Sequence, residues 1–205
     1  MCLSPARFGT EFEKLGAGCF ATVYRTHALD FEDIKGQDRA NVALKCVAFQ
    51  EHDEKEEHHL ASELYVLELL RKAQHPHILR FYKAFLQRDW KGGYSRVLML
   101  FSSSICTLWE VAHRAAALPR RAVESWLQEL LLALNFLHEK DILHRDIRPQ
   151  NIQMAPSISS GCLCIVVSDF GAAIQIEGKA DGFDFHKMSF LDDRIVPVYE
   201  PLVHK

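Results

Sequence analysis

No apolar run in the chain is long enough to cross a bilayer, which takes roughly 20 residues as a helix. The opening residues Met1, Cys2, Leu3, Ser4 and Pro5 hold no apolar signal core, so secretion is not expected. There is no internal repeat and no long low-complexity segment. No excess of basic charge is present either: the net charge of -3 gives no electrostatic footprint for nucleic acid or an anionic membrane. The six cysteines (Cys2, Cys19, Cys46, Cys106, Cys162 and Cys164) lack paired metal spacing and read as reduced thiols acting as small hydrophobes. His52, His58 and His59 lie in an acidic stretch with no cysteine or fourth ligand nearby, which suits a solvated helix start better than a zinc site.

What the chain does contain is 205 residues, 48% of them apolar, enough for one large domain or two small lobes. Residues 11–25 read as two strands around a glycine-containing turn, and the polar stretch 26–41 as a loop. Val42, Ala43, Leu44, Lys45, Cys46 and Val47 suit a buried strand. From Glu54 to Lys72 leucines recur at helical steps (Leu60, Leu64, Leu67, Leu70) until His75-Pro76, where a residue forced out of helical geometry ends the helix. Two apolar runs, 78–85 and 96–101, flank a turn at Gly92-Gly93. Residues 107–115 predict a short helix, and Pro119 begins a longer one carrying Trp126, Leu127, Leu130, Leu131, Leu134 and Leu137. Short strands flank Asn151 and Ser168. Strands with one helix give way to a mostly helical part near residues 101–104.

Four motifs carry chemistry. In Gly16-Ala17-Gly18-Cys19-Phe20-Ala21-Thr22-Val23, glycines let a backbone approach phosphates whose oxygens its N–H groups can cradle; alone it equally describes a hairpin. Lys45 closes an apolar strand and has two candidate partners on the next helix, Glu63 and Glu68, with Glu63 preferred because it leaves Val66 and Leu67 to the buried face. The specific motif is His144-Arg145-Asp146-Ile147-Arg148-Pro149-Gln150-Asn151. A carboxylate, a basic residue and an asparagine at this spacing suit phosphoryl transfer: Asp146 can take a hydroxyl proton and Asn151 can hold magnesium. Asp169-Phe170-Gly171 follows an apolar run and supplies a second magnesium-binding oxygen donor.

Together the four resemble the serine/threonine type of eukaryotic protein kinase. The resemblance implies an α+β bilobal fold: a tail over 1–10, a β-rich N-lobe with one helix over 11–101, and an incomplete, mainly helical C-lobe over 102–205. It implies ATP and Mg2+ as cofactors. Gly16, Ala17, Gly18, Val23, Ala43, Lys45, Met99, Phe101 and Ser102 would hold the nucleotide, with Met99 as gatekeeper. Lys45, Glu63, Asp146 and Arg148 would be catalytic, and Asn151 and Asp169 would bind the metal. The partner implied is a protein presenting a serine or threonine hydroxyl. The implied location is cytoplasmic or peripheral to a membrane. A finer resemblance, to the Numb-associated kinases and their myristoylated and palmitoylated branch, rests on residues 75–79, on Thr107-Leu108-Trp109-Glu110 and on Ile176-Glu177-Gly178; Cys2 stands where myristoylation needs glycine.

Three features depart from the kinase pattern. Ala21 replaces the third glycine of the loop. Gln153 stands where the family places an apolar floor under the adenine, a role Met154 would take if the register shifted. After Asp169 the expected Ala-Pro-Glu ending is replaced by Val196-Pro197-Val198-Tyr199-Glu200-Pro201, in which Glu200 is a loose match to the family glutamate, with Ser189 as the candidate phosphorylation site and Asp192-Asp193 as its electrostatic substitute. The family's remaining C-lobe helices would follow Lys205. Their absence predicts an exposed apolar face on the helix 121–139 and a partner that covers it. A nucleotide-binding or scaffolding pseudokinase is the alternative to an enzyme.

Overall fold

A strand whose alternate residues are apolar buries one face and leaves the other for different work. The structure, a computed structural model, describes residues 12–18, 21–27, 41–48, 54–88, 94–157, 163–176 and 191–192. The first half runs β1 (Glu13–Ala17), β2 (Ala21–Thr26), β3 (Val42–Ala48), α1 (Glu54–Ala73), β4 (Phe81–Arg88) and β5 (Tyr94–Ser102). The second runs β6 (Cys106–Thr107), α2 (Leu108–Arg114), α3 (Arg120–His138), β7 (Ile142–Leu143), a 3-10 turn (Pro149–Asn151), β8 (Ile152–Pro156), β9 (Leu163–Val167), β10 (Ile174–Gln175) and β11 (Leu191–Asp192). The chain forms two compact units: residues 1–58 with 81–103 and 184–205, and residues 59–80 with 104–183.

The first unit holds a six-stranded sheet in the order β1-β2-β3-β5-β4-β11. Val42 and Leu44 of β3 pack with Tyr82, Phe85, Leu98 and Leu100 into its core, and Phe12 and Cys46 close the edge. Full burial of side chains such as Leu44, Phe85 and Leu98 stabilises the fold by about 1.5–3 kcal/mol each. Residues 191–192, which show no strand periodicity in the sequence, add to the sheet in parallel with β4.

The helical leucine pattern is realised in α1, where Leu60, Leu64, Leu67 and Leu70 are all buried. Gln74 ends it: at φ 41 it leaves the helical region, while its N–H still reaches the Leu70 carbonyl at 2.9 Å. The sequence reading groups this helix with the strands, whereas the structure groups residues 59–80 with 104–183. The physical reason is a set of long-range hydrogen bonds. Val167 donates to the His77 carbonyl at 2.9 Å, Leu79 donates to the Val167 carbonyl at 2.8 Å, and the Tyr65 hydroxyl donates to Gln175 at 3.0 Å.

In the second unit α2 starts at a capping box, Thr107 accepting from the Glu110 N–H and Glu110 accepting from that of Thr107. Pro119 precedes α3, as expected. Ile152, Met154 and Ile165 form the core of the β6-β8-β9 sheet, covered by Trp126 and Leu130 of α3. Glu129 fixes α3 to β9 by accepting the Ile165 N–H at 2.8 Å. The other side of α3 leaves Val123, Leu127, Leu131 and Leu132 exposed, the apolar face the sequence predicts. Among the described residues no helix is long and apolar enough to cross a membrane. Most of the loop expected over 26–41, the Gly92-Gly93 turn, Ser189, Asp193 and Glu200 lie outside the described residues.

Candidate functional site

The strand registers of the first unit decide which of the predicted nucleotide residues share a face. Gly16 on β1 pairs with Val23 on β2, Val23 pairs with Lys45 on β3, and Lys45 pairs with Met99 on β5. Ala43 pairs with Phe101. Side chains directly opposite one another, and those two residues apart on a strand, project from the same face. Val23, Ala43, Lys45, Met99 and Phe101 therefore line one face of the sheet, while Val42, Leu44, Leu98 and Leu100 fill the core on the other. Ser102 does not join them. It pairs with Val42, so strand alternation turns its side chain to the opposite face and leaves only its backbone for a ligand.

Between the two strands the Gly18 N–H donates to the Ala21 carbonyl at 2.8 Å. A Cβ at Gly16 would meet no atom of the described residues within 4 Å, so none of those residues requires a glycine there. Open space above a missing side chain is what a phosphate-bearing ligand needs. Ala17 ends β1 opposite Thr22.

The second unit assembles the polar residues. The Asn151 amide donates from Nδ2 to Asp146 Oδ2 at 2.7 Å and to the Asp146 carbonyl at 3.0 Å. The amide nitrogen is thus committed, and Asn151 Oδ1 is the atom left to accept or coordinate. The Asn151 carbonyl takes the Ser168 N–H at 2.9 Å, which holds Asp169 next to the same turn. Asp169 is exposed and adopts φ 60, a left-handed conformation costing of order 1–3 kcal/mol in a non-glycine residue. Arg145, at φ 64, shares it, and its guanidinium donates to the Ala172 carbonyl at 2.6 Å.

Glu63 is buried, at 6% exposure. A Cβ at Gly171 would lie 3.6 Å from Glu63 Oε2 and 3.4 Å from Asp169 Oδ1, so two carboxylates flank that glycine. Glu68, the competing candidate, is already engaged within its own helix: Arg71 binds it at 2.7 and 2.9 Å and Lys72 at 3.2 Å. Burial raises its pKa, but the hydrogen bonds and charges of Arg71 and Lys72 prevail and hold it below the ordinary carboxylate range. Arg148 is exposed and donates to Gln150 at 3.1 Å.

His144 fixes the loop from beneath. Its Nε2 donates to the Ser168 carbonyl at 3.0 Å and its Nδ1 accepts the Asp146 N–H at 3.3 Å, an arrangement that requires neutral imidazole. Phe170 packs on it with ring centroids 5.0 Å apart. Burial pushes His144 below its usual pKa, against the opposing pull of the Ser168 carbonyl and of Asp169 and Asp146.

Two sequence expectations are settled by β8. Met154 is 1% exposed and packs in the core with Ile152 and Ile165, so no register shift brings it to the face where Gln153 stands. Alternation along the strand puts the two on opposite sides. Gln153 instead bonds to Ser104 and Ser168, residues the motif reading passes over; the only signal for Ser168 is its place just before Asp169. Burial disfavours the thiolate form of the three described cysteines. Burial pushes the Cys46 thiol up to about 12 against the opposing charge of Arg96, and raises Cys106 and Cys164 as well.

Among the described residues no group of three or more His, Cys, Asp or Glu could hold a metal by itself. One asparagine oxygen and one carboxylate are instead the hard, incomplete donor set that suits magnesium sharing its sphere with a ligand's phosphates and water.

The protein kinase domain family matches residues 10–191. The serine/threonine-protein kinase ULK3 of Homo sapiens is 34% identical over 143 residues, covering 70% of this chain and 27% of that protein. Its Xenopus laevis counterpart is 36% identical over 143 residues, covering 70% and 28%. The serine/threonine-protein kinase atg1 of Aspergillus oryzae is 29% identical over 171 residues, covering 74% of this chain and 17% of its own length. The chain thus spans at most 28% of the length of these curated relatives. They do not bear on the finer Numb-associated resemblance.

Proposed function

The chain belongs to the protein kinase family, and from that premise we propose that it transfers the γ-phosphate of ATP to a serine or threonine hydroxyl of a protein. The observation that carries this reading is the Asp146–Asn151 hydrogen bond at 2.7 Å. It occupies Oδ2 of the carboxylate and leaves Oδ1 to receive the proton of the attacking hydroxyl. The hydroxyl oxygen bonds to the γ-phosphorus, the bond to the leaving ADP oxygen breaks, and Asp146 orients the nucleophile. Asn151 Oδ1 and the Asp169 carboxylate would hold magnesium, which when bound offsets charge on the phosphates. Val23, Ala43 and Met99 form an apolar face suited to a base. Lys45, on that face, serves the phosphates, and the family pattern assigns Glu63 to it. Arg148 adds positive charge beside the acceptor, with a planar fork in place of the usual lysine's point charge.

The test is thermal unfolding with and without Mg-ATP, for the chain and for Asp169→Asn. A ligand selective for the folded state must raise the melting temperature. The reading expects a rise in the parent and a smaller one in the variant, followed by transfer to protein that Asp146→Asn lowers by about 10²–10⁴-fold. A cooperative melt with no rise at millimolar nucleotide overturns it. A rise without transfer would make the chain a nucleotide-binding scaffold.

A further inference from the structure

Gln153 departs from the family's apolar pattern, and in the structure its amide is used at both ends. Oε1 accepts from the Ser104 hydroxyl and Nε2 donates to Ser168 Oγ at 3.0 Å. Ser168, only 3% exposed, passes its own hydroxyl proton to the Asn151 carbonyl at 3.0 Å. Every proton in this chain runs in one direction. Because Gln153 fills a lone pair of Ser168, the Ser168 hydroxyl is aimed at Asn151, whose carbonyl also receives the Ser168 N–H at 2.9 Å. A leucine at 153 would have similar bulk and supply neither bond.

The residues at the far end of this chain are specific. Asn151 is the asparagine whose Nδ2 is bound to Asp146, and Ser168 is the residue before Asp169. The near end is Ser104, where the chain enters the second unit. We propose that Gln153 is a positioning residue for the pair Asn151 and Asp169. Its amide straps the turn that carries Asn151 and the strand end that carries Asp169 to Ser104, and so fixes the spacing of their oxygen atoms for magnesium. This rests on the kinase reading above. A fully satisfied, directional network of this kind holds geometry better than its individual bonds suggest.

The test is a magnesium titration of the affinity for a fluorescent ATP analogue, with folding checked by circular dichroism melting. Gln153→Leu is expected to raise the magnesium concentration at half-maximal effect about three- to tenfold, the scale on which one hydrogen bond acts, read against the variant's own metal-free affinity because residue 153 stands at the adenine-floor position. Ser168→Ala is expected to do the same, and the double variant to be no worse than either single one, since both cut one chain. If Gln153→Leu fails to fold, Ser104→Ala cuts the chain at its outer link and is expected to shift the titration in the same direction by less. Equal losses with and without metal would mean that Gln153 acts on the nucleotide directly, and would overturn the proposal. So would additive effects or an unchanged titration. A parent chain that shows no magnesium-linked binding at all would refute the kinase reading itself, and is told apart because the parent is blank before any substitution.

Discussion

The side-chain amide of Asn151 holds one oxygen of Asp146 at 2.7 Å and thereby decides which oxygen of that carboxylate remains for chemistry. Replacing the carboxylate alone should separate binding from transfer. Asp146→Asn is expected to lower the rate of transfer to protein by about 10²–10⁴-fold, the range of a positioned general base, while leaving nucleotide affinity nearly intact. Parallel rate and binding measurements check this. A variant that loses both equally would assign Asp146 to the fold.

The sheet face bearing Val23, Ala43, Lys45 and Met99 should be sensitive to bulk at its smallest member. Ala43 is half-buried and pairs with Phe101, so Ala43→Leu adds volume on that face without touching the core formed by Val42 and Leu44. Nucleotide affinity is expected to fall roughly tenfold or more, with the melting temperature little changed. Equilibrium binding together with a melt distinguishes this from general destabilisation.

His144 should make the protein weaker in acid. Its folded pKa lies below the ordinary value of 6.5, so between those two values the unfolded chain binds more protons than the folded one. Stability is therefore full above about pH 6.5, falls as the pH drops through that window, and levels off below the folded pKa. Protonation would also turn Nδ1 into a donor facing the Asp146 N–H. Denaturant melts from pH 7.5 downward should show this slope, and His144→Phe should flatten it in part. His75, lowered by its burial and by His77, keeps its own share.

The uncovered side of α3 should drive association. Val123, Leu127 and Leu131 recur every four residues, and Leu127 and Leu131 are 56% and 57% exposed. Substituting Leu127→Gln and Leu131→Gln costs little helix propensity and removes apolar surface from water. Light scattering against concentration is expected to show less self-association for the double variant at an unchanged melting temperature. Equal scattering would place the sticky surface elsewhere.

The motifs were legible because their chemistry is local: Asp146 and Asn151 are five residues apart, and the turn that joins them needs nothing distant to be recognised. The choice between Glu63 and Glu68 was nearly legible as well. Arg71 and Lys72 stand three and four residues after Glu68, at helical ion-pair spacing, and claim it. Other features depend on residues far apart in sequence and carry no local pattern. The Ser104–Gln153 bond spans 49 residues, the Tyr65–Gln175 bond spans 110, and β11 is only two residues long. The grouping of residues 59–80 with the second unit follows from such bonds, and composition does not record them.

The register that aligns Gly16, Val23, Lys45 and Met99 also limits how this chain can change in length. A strand alternates with a period of two, so deleting one residue from β3 ahead of Lys45 would exchange the two faces. Lys45 would then stand where Leu44 stands, toward Tyr82, Phe85 and Leu98, and Cys46 would take its place on the open face. One lost codon there would do more than replace one residue, because every later residue of β3 would change face at once while Val23 and Met99 stayed where they are. The letters of β3 can be exchanged one at a time, but its frame cannot be moved without turning the strand over.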